Sequence, residues 1–189
     1  MHIPARPSLI VCAVVALASG GCEPRWVVLR QAVPDPLLGA HVFYVEPIHY
    51  DPPMVGSKTE AAYQAEKDSD QQRSWQTDKL DTATRYQDAI VGASGDLKFT
   101  TAPAPGVFII RPIVSFIEPG FYAAIVAAPT EIRMRVQFLA SDGVLLDEIA
   151  VRSVIAASMV APASGTRMRQ AGDDLGRVTA GYLHKRVAP

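Results

Sequence analysis

The segment from Glu131 to Ala140 constrains the fold more than any other part of the chain, because its side chains alternate in polarity. Polar residues occupy every second position from Glu131 to Gln137, and the other face is apolar: Ile132, Met134, Val136, Phe138 and Ala140. A period of two predicts a strand with one buried face. Asp142-Gly143 then provides a tight turn, and Val144–Ile155 alternates again. We therefore expect a β-hairpin that packs against other elements through one face.

The last part of the chain, Thr166–Arg186, has apolar residues at helical spacing. They form one stripe, which consists of Met168, Ala171, Leu175, Val178 and Tyr182. Gly172 and Gly176 stand beside this stripe, and glycine inside a helix costs about 1 kcal/mol relative to alanine. We expect close approach of the helix to the sheet to offset this cost.

A second helical region begins at Ser57-Lys-Thr-Glu60, which fits a capping box, and continues without proline to about Val91. Its middle, Glu66–Thr77, is almost wholly polar. Either one long helix has a solvated middle, or two helices meet near Ser69. Trp75, the large apolar residue of the polar part, is expected to fold back on the domain.

These elements, with strands at 41–50 and 107–117, predict an α+β fold of a single domain over residues 41–187. The expected order is strand, helix, three strands, helix. The natural arrangement is two-layered, with a mixed four-stranded sheet and helices on one face. Strand 41–50 should run parallel to strand 107–117 if the two are neighbours.

The first residues have the three parts of a secretory signal: a weakly positive start with Arg6, the apolar run Leu9–Ala18, and small residues before Cys22. The run has 10 residues, whereas crossing a bilayer takes about 20. The small residues followed by cysteine resemble a lipobox, although Ser19 stands where leucine is usual. We predict a signal peptide at 1–21 and lipidation of Cys22. The alternative is an ordinary secreted protein with a free thiol.

Residues 22–40 contain three prolines and show no clear period. They are interpreted as a tether with room for a short strand at Trp26–Leu29, and its roughly 18 residues reach about 60 Å when extended. Aspartate directly after the cysteine resembles an inner-membrane retention signal, and Glu23 stands there instead. We expect a bacterial envelope protein that is lipid-anchored, with the outer membrane favoured.

The second half of the chain contains SFIEPGFYAAIV, EIRMRVQFLASDGVLLDEIAV and GTRMRQAGDDLGRVTAGYLHKR. This pattern over residues 41–187 resembles bacterial envelope lipoproteins of uncharacterised function. The resemblance implies an α/β domain like those of lipoproteins that assemble secretion channels and other envelope complexes. It implies no activity and no catalytic residue.

No motif in the sequence indicates catalysis, a metal or a cofactor. His49 and Asp51 share one face of a predicted strand, but two ligands are too few for a metal site. Ser153 and Ser158 lack the G-x-S-x-G setting of a nucleophile. The chain has a net charge of −1 and no run of like charge, which predicts neither a nucleic-acid partner nor an anionic-membrane patch.

Two loops are apolar where loops should be polar. Residues 120–129 and 154–163 contain no charge, and strand directions place both at the same end of the sheet. They predict a contact patch, which comprises Phe121, Tyr122, Ile125, Met159 and Val160. The alternative is that the two loops pack on each other or extend the strands.

Three functions are compatible with these observations. The favoured one is a non-catalytic interaction or assembly component, which docks a protein partner or another copy of itself through the patch. The second is a binding module for a small apolar ligand or lipid. The third is a hydrolase with an unidentified site, which would require a buried cluster of His49, Asp51 and Glu46.

Overall fold

The computed structural model describes residues 25–123 and 126–188. Cys22 and the predicted signal peptide lie outside these residues. The described chain combines a large mixed sheet with three helices, in the order β1 (Trp26–Arg30), β2 (Val42–Val45), β3 (His49–Val55), β4 (Lys58–Thr59), α1 (Glu60–Ala65), α2 (Ser69–Ala93), β5 (Lys98–Thr100), β6 (Phe108–Glu118), β7 (Phe121–Ala123), β8 (Val126–Ala128), β9 (Thr130–Leu139), β10 (Leu145–Ile155) and α3 (Ser164–Val187). Within these ranges, every helix is too short or too polar to span a bilayer.

The main sheet has eight strands, in the order β1-β10-β9-β6-β2-β5, with β3 also beside β6 and β4 beside β3. The predicted β-hairpin is confirmed, because β9 and β10 pair antiparallel from Leu139 and Leu145 to Thr130 and Ile155. The expected parallel pairing is also confirmed, since both β2 and β3 run parallel to β6. β7 and β8 form a separate small hairpin.

The prediction of a four-stranded sheet was wrong, because the sheet has eight strands. The predicted strand 41–50 is divided into β2 and β3 around Pro47, which lacks an amide donor for the ladder. β4 and β5 are additional strands, and β1 matches the short strand allowed for at Trp26–Leu29, which had not been placed in the sheet. Each has two to five residues, too few to produce a periodic pattern.

Two helices, not one, occupy the polar region after β4. α1 ends at Ala65 and α2 begins at Ser69, which confirms the second of the two alternatives. The capping box predicted at Ser57 was wrong. Lys58 and Thr59 pair with β3 instead, and the observed capping box joins Asp68 and Gln71. Trp75 does fold back on the domain, where it is 5% exposed and donates to Glu60 Oε1 at 2.7 Å.

The helix predicted at Thr166–Arg186 is confirmed as α3, which extends from Ser164 to Val187. It packs on β9 and β10, while α2 packs on α3. The two glycines beside its apolar stripe face α2, not the sheet as we expected. A Cβ built on Gly172 would lie 2.5 Å from the carbonyl oxygen of Thr82, and one on Gly176 would lie 2.5 Å from that of Tyr86. The glycines therefore allow two helix backbones to approach each other.

The predicted tether is largely part of the folded domain. From Arg25 onward it forms β1, which pairs antiparallel with β10, and it then buries Leu37 completely. Asp147 fixes the segment, because its buried carboxylate accepts from the Ala32 amide at 2.9 Å and from Arg186 Nε at 2.6 Å. Only residues 22–24 of the predicted tether lie outside the described structure.

Candidate functional site

The two uncharged loops lie at the end of the sheet where β6 and β10 finish. The first loop contains the β7–β8 hairpin, in which Phe121 is 51% exposed and Val126 is 59% exposed. Tyr122 is half-buried. Ile125, the fifth residue of the predicted patch, lies outside the described residues. The first loop therefore extends as a small hairpin with apolar side chains in solvent.

The second loop presents two apolar side chains that are almost fully exposed. Met159 is 83% exposed and Val160 is 92% exposed. They occupy the tip of a tight turn, closed by a bridge between Ser158 and Ala161. Because Ala161 itself is buried, the turn is held to the domain on one side of this tip. We call the exposed parts of the two loops, 121–123 with 126–128 and 158–160, the rim.

Arg167 joins the bases of the two loops. Its side chain is fully buried, and its guanidinium donates to Ala161 O at 2.9 Å, Pro162 O at 2.6 Å, Pro119 O at 3.2 Å and Thr130 Oγ1 at 2.8 Å. Burial lowers the pKa of Arg167. A guanidinium group suits this task, because its planar set of N–H donors lets one cation satisfy acceptors from both loops.

Sequence reasoning missed Arg167, and its position beside the apolar stripe of α3 was the only signal. Its acceptors are mainly backbone carbonyl groups, which no residue type in the sequence can reveal. The consequence is a rim whose base is fixed by a buried network. The exposed tips project from this base, where their apolar side chains are open to contact.

His49 and its neighbours are placed differently from what a hydrolase would require. His49 Nε2 lies 2.9 Å from Glu46 Oε2, and Arg111 donates to the same carboxylate at 2.6 Å and 3.0 Å. The hydrogen bond from Arg111 lowers the pKa of Glu46. His49 and Asp51 are exposed, so the three residues form no buried cluster. Within the described ranges, no group of three or more His, Cys, Asp or Glu side chains could hold a metal ion.

Neither a protein-family model nor a curated protein matches the chain. Among solved structures, the PelC dodecamer from Paraburkholderia phytofirmans in space group P6 has a TM-score of 0.42 at 8% identity, over 81% of this chain and 96% of that chain. A point variant of the PelC dodecamer in space group C2 has a TM-score of 0.37 at 9% identity, over 81% and 95%. Similarity at this level says nothing of function.

Proposed function

We propose that this chain is a lipid-anchored protein of the bacterial envelope that acts as a non-catalytic interaction component. Cys22 carries the lipid, and the rim docks a protein partner or another copy of the chain. The observation that carries the proposal is the exposure of apolar side chains on a fixed base, above all Met159 and Val160 at 83% and 92%. Apolar patches on a soluble surface usually mark contact sites.

The fixed base is the reason to interpret the rim as a docking surface and not as a loosely attached loop. Arg167 ties both loops to α3 through four hydrogen bonds. A loop whose base is already fixed has less conformational entropy to lose when it binds than a loop that must first become ordered. The rim therefore suits a protein contact of defined geometry.

Site-specific photocrosslinking in cells tests this proposal. A photoreactive phenylalanine analogue at Met159 should crosslink to a protein partner or to a second copy. The same analogue at Leu80, which is 69% exposed on α2, is the matched control and should give no discrete product. Crosslinks from Met159 to lipid alone, or equal products from both positions, would contradict the docking role.

Substitution gives the second arm of the test. Met159→Ser with Val160→Ser should abolish the crosslinked or co-purified assembly, while Leu80→Ser should leave it intact. Because all three side chains are mostly in solvent, the variants should fold normally. The anchor is tested separately by the intact mass of the protein from membranes, which should begin at Cys22 and include fatty acid.

A further inference from the structure

The open face of the sheet carries a cationic depression that the rim does not include. It has a volume of about 550 Å³ and lies where β1, β10, β9 and β6 meet. Four arginines line it, namely Arg25, Arg133, Arg135 and Arg152, with apolar surface from Val27 and Ala150 between them. None of the described residues in its lining is acidic. The depression thus combines positive charge with an apolar floor.

The carboxylates that pair with these four arginines lie outside the lining and number three, of which Asp174 on α3 pairs with Arg25. Glu131 accepts from Arg152 Nε at 2.8 Å and also from Arg133 Nε at 2.6 Å. Glu148 pairs with Arg135 at 3.3 Å. Arg133 and Arg152 have side chains that are 56% and 61% exposed. Because each guanidinium has five N–H donors, both retain donors that can bind an anion.

The position of Arg25 places this depression beside the proposed anchor. Arg25 stands three residues after Cys22, and three residues span at most about 11 Å. β1 also begins at the rim end of the sheet, since Trp26 pairs with Val151 while Arg30 pairs with Glu148. If Cys22 is acylated, as the proposed function holds, the depression cannot move far from the membrane surface.

We infer that the depression binds the headgroup of an anionic phospholipid of the membrane that holds the anchor. Guanidinium groups bind phosphate oxygens through paired N–H donors. Val27, which is 64% exposed, offers apolar contact for the glycerol and upper acyl region. Interaction with the headgroup fixes the orientation of the domain on the membrane. The charge pattern along the sequence predicted no such patch, because the arginines come from three separate strands or their flanks.

Native mass spectrometry of the full protein, purified from membranes in detergent, tests this inference. Phosphatidylglycerol should be retained as an adduct, and phosphatidylcholine should bind much more weakly. Arg135→Gln with Arg152→Gln should weaken phosphatidylglycerol binding by about 30-fold, since each basic residue near a lipid surface contributes about fivefold. These positions suit the test because neither substitution leaves a carboxylate without a partner. Glu131 still pairs with Arg133, and Glu148 still accepts a hydrogen bond from the Gln137 side-chain amide at 3.2 Å.

Arg73→Gln is the matched control, because Arg73 is an exposed arginine of α2 paired with Asp70, and it should bind phosphatidylglycerol as the wild type does. Equal adducts with both lipids, or an unchanged double variant, would overturn the inference. Glycerol 3-phosphate that binds as tightly as the whole lipid would also overturn it, in favour of a soluble anion. The same spectra report the acyl mass, so a missing anchor is distinguished from an empty depression.

Discussion

Replacing Gly176 with alanine tests whether α3 is held against α2 by direct backbone contact. A Cβ at this position would lie 2.5 Å from the carbonyl oxygen of Tyr86, 2.8 Å from Ala89 Cβ and 3.0 Å from the Ile90 amide nitrogen. All three atoms belong to α2, and two of them are backbone atoms that cannot rotate away. The two helices would therefore have to separate.

The magnitude follows from two opposing effects. Overpacking a well-packed core costs about 1–3 kcal/mol, and the upper value applies here because the obstructing atoms are backbone. Alanine recovers about 1 kcal/mol of helix propensity relative to glycine. The net loss in the free energy of unfolding is about 2 kcal/mol. For a domain of this size, that loss lowers Tm by about 4–8 °C.

Gly181 supplies the control on the same helix. The nearest atom to its built Cβ is Trp26 Cζ3 at 3.7 Å, an ordinary contact distance. Gly181→Ala should therefore gain about 1 kcal/mol and raise Tm by about 2–4 °C. Thermal unfolding followed by circular dichroism measures both variants. If the two substitutions shift Tm in the same direction, close contact between α2 and α3 does not explain the glycine at 176.

Three further outcomes follow from the described contacts. Arg167→Met leaves buried acceptors in both loops without a donor, which should lower the free energy of unfolding by at least about 3 kcal/mol. Amide hydrogen exchange should accelerate at 120–123 and 158–161, and unchanged exchange would contradict the role of Arg167 in joining the two loops. Hydrogen bonding by Arg152 lowers the pKa of Glu131 in the folded protein. The ionised Glu131 carboxylate therefore stabilises the fold at pH values above its unfolded pKa of about 4.3. This stabilisation is lost as pH falls through the folded pKa. Urea unfolding should therefore separate wild type from Glu131→Gln at pH 7 but not at acid pH below that folded pKa. Met159→Ser with Val160→Ser should change stability by less than about 0.5 kcal/mol, as judged by the same urea titration, and a larger loss would mean that the turn tip packs on the domain.

The elements that the sequence predicted most clearly are those in which one face is buried and the other is solvated. In β9, Ile132 and Met134 are buried while Arg133 between them is exposed, and this contrast produces the alternation. β1 has no such contrast, because Val27, Val28 and Leu29 are all substantially exposed at the sheet edge. Its apolar side chains therefore look alike whether the segment is a strand or a tether, and its pairing with β10 is a long-range property.

The residues of the candidate site also divide into those that the sequence could predict and those that it could not. The exposed tip residues Met159 and Val160 could be predicted, because an uncharged loop is unusual wherever it lies. Arg167 could not, since its hydrogen bonds go mostly to carbonyl oxygens that every residue has. The arginines of the depression could not be predicted either, because Arg133 and Arg152 are adjacent only through the register of β9 and β10.

Placement of β1 in the sheet also changes what the proposed anchor would do. A tether of roughly 60 Å would let the domain meet partners far from the membrane, whereas a link of at most about 11 Å between Cys22 and Arg25 would not. β1 begins beside Arg152, close to the point where β10 leads into the rim loop. Lipid, depression and rim would thus share one end of the molecule. A partner of the rim is therefore expected to be held in, or close to, the same membrane, and a second anchored copy of the chain satisfies that condition.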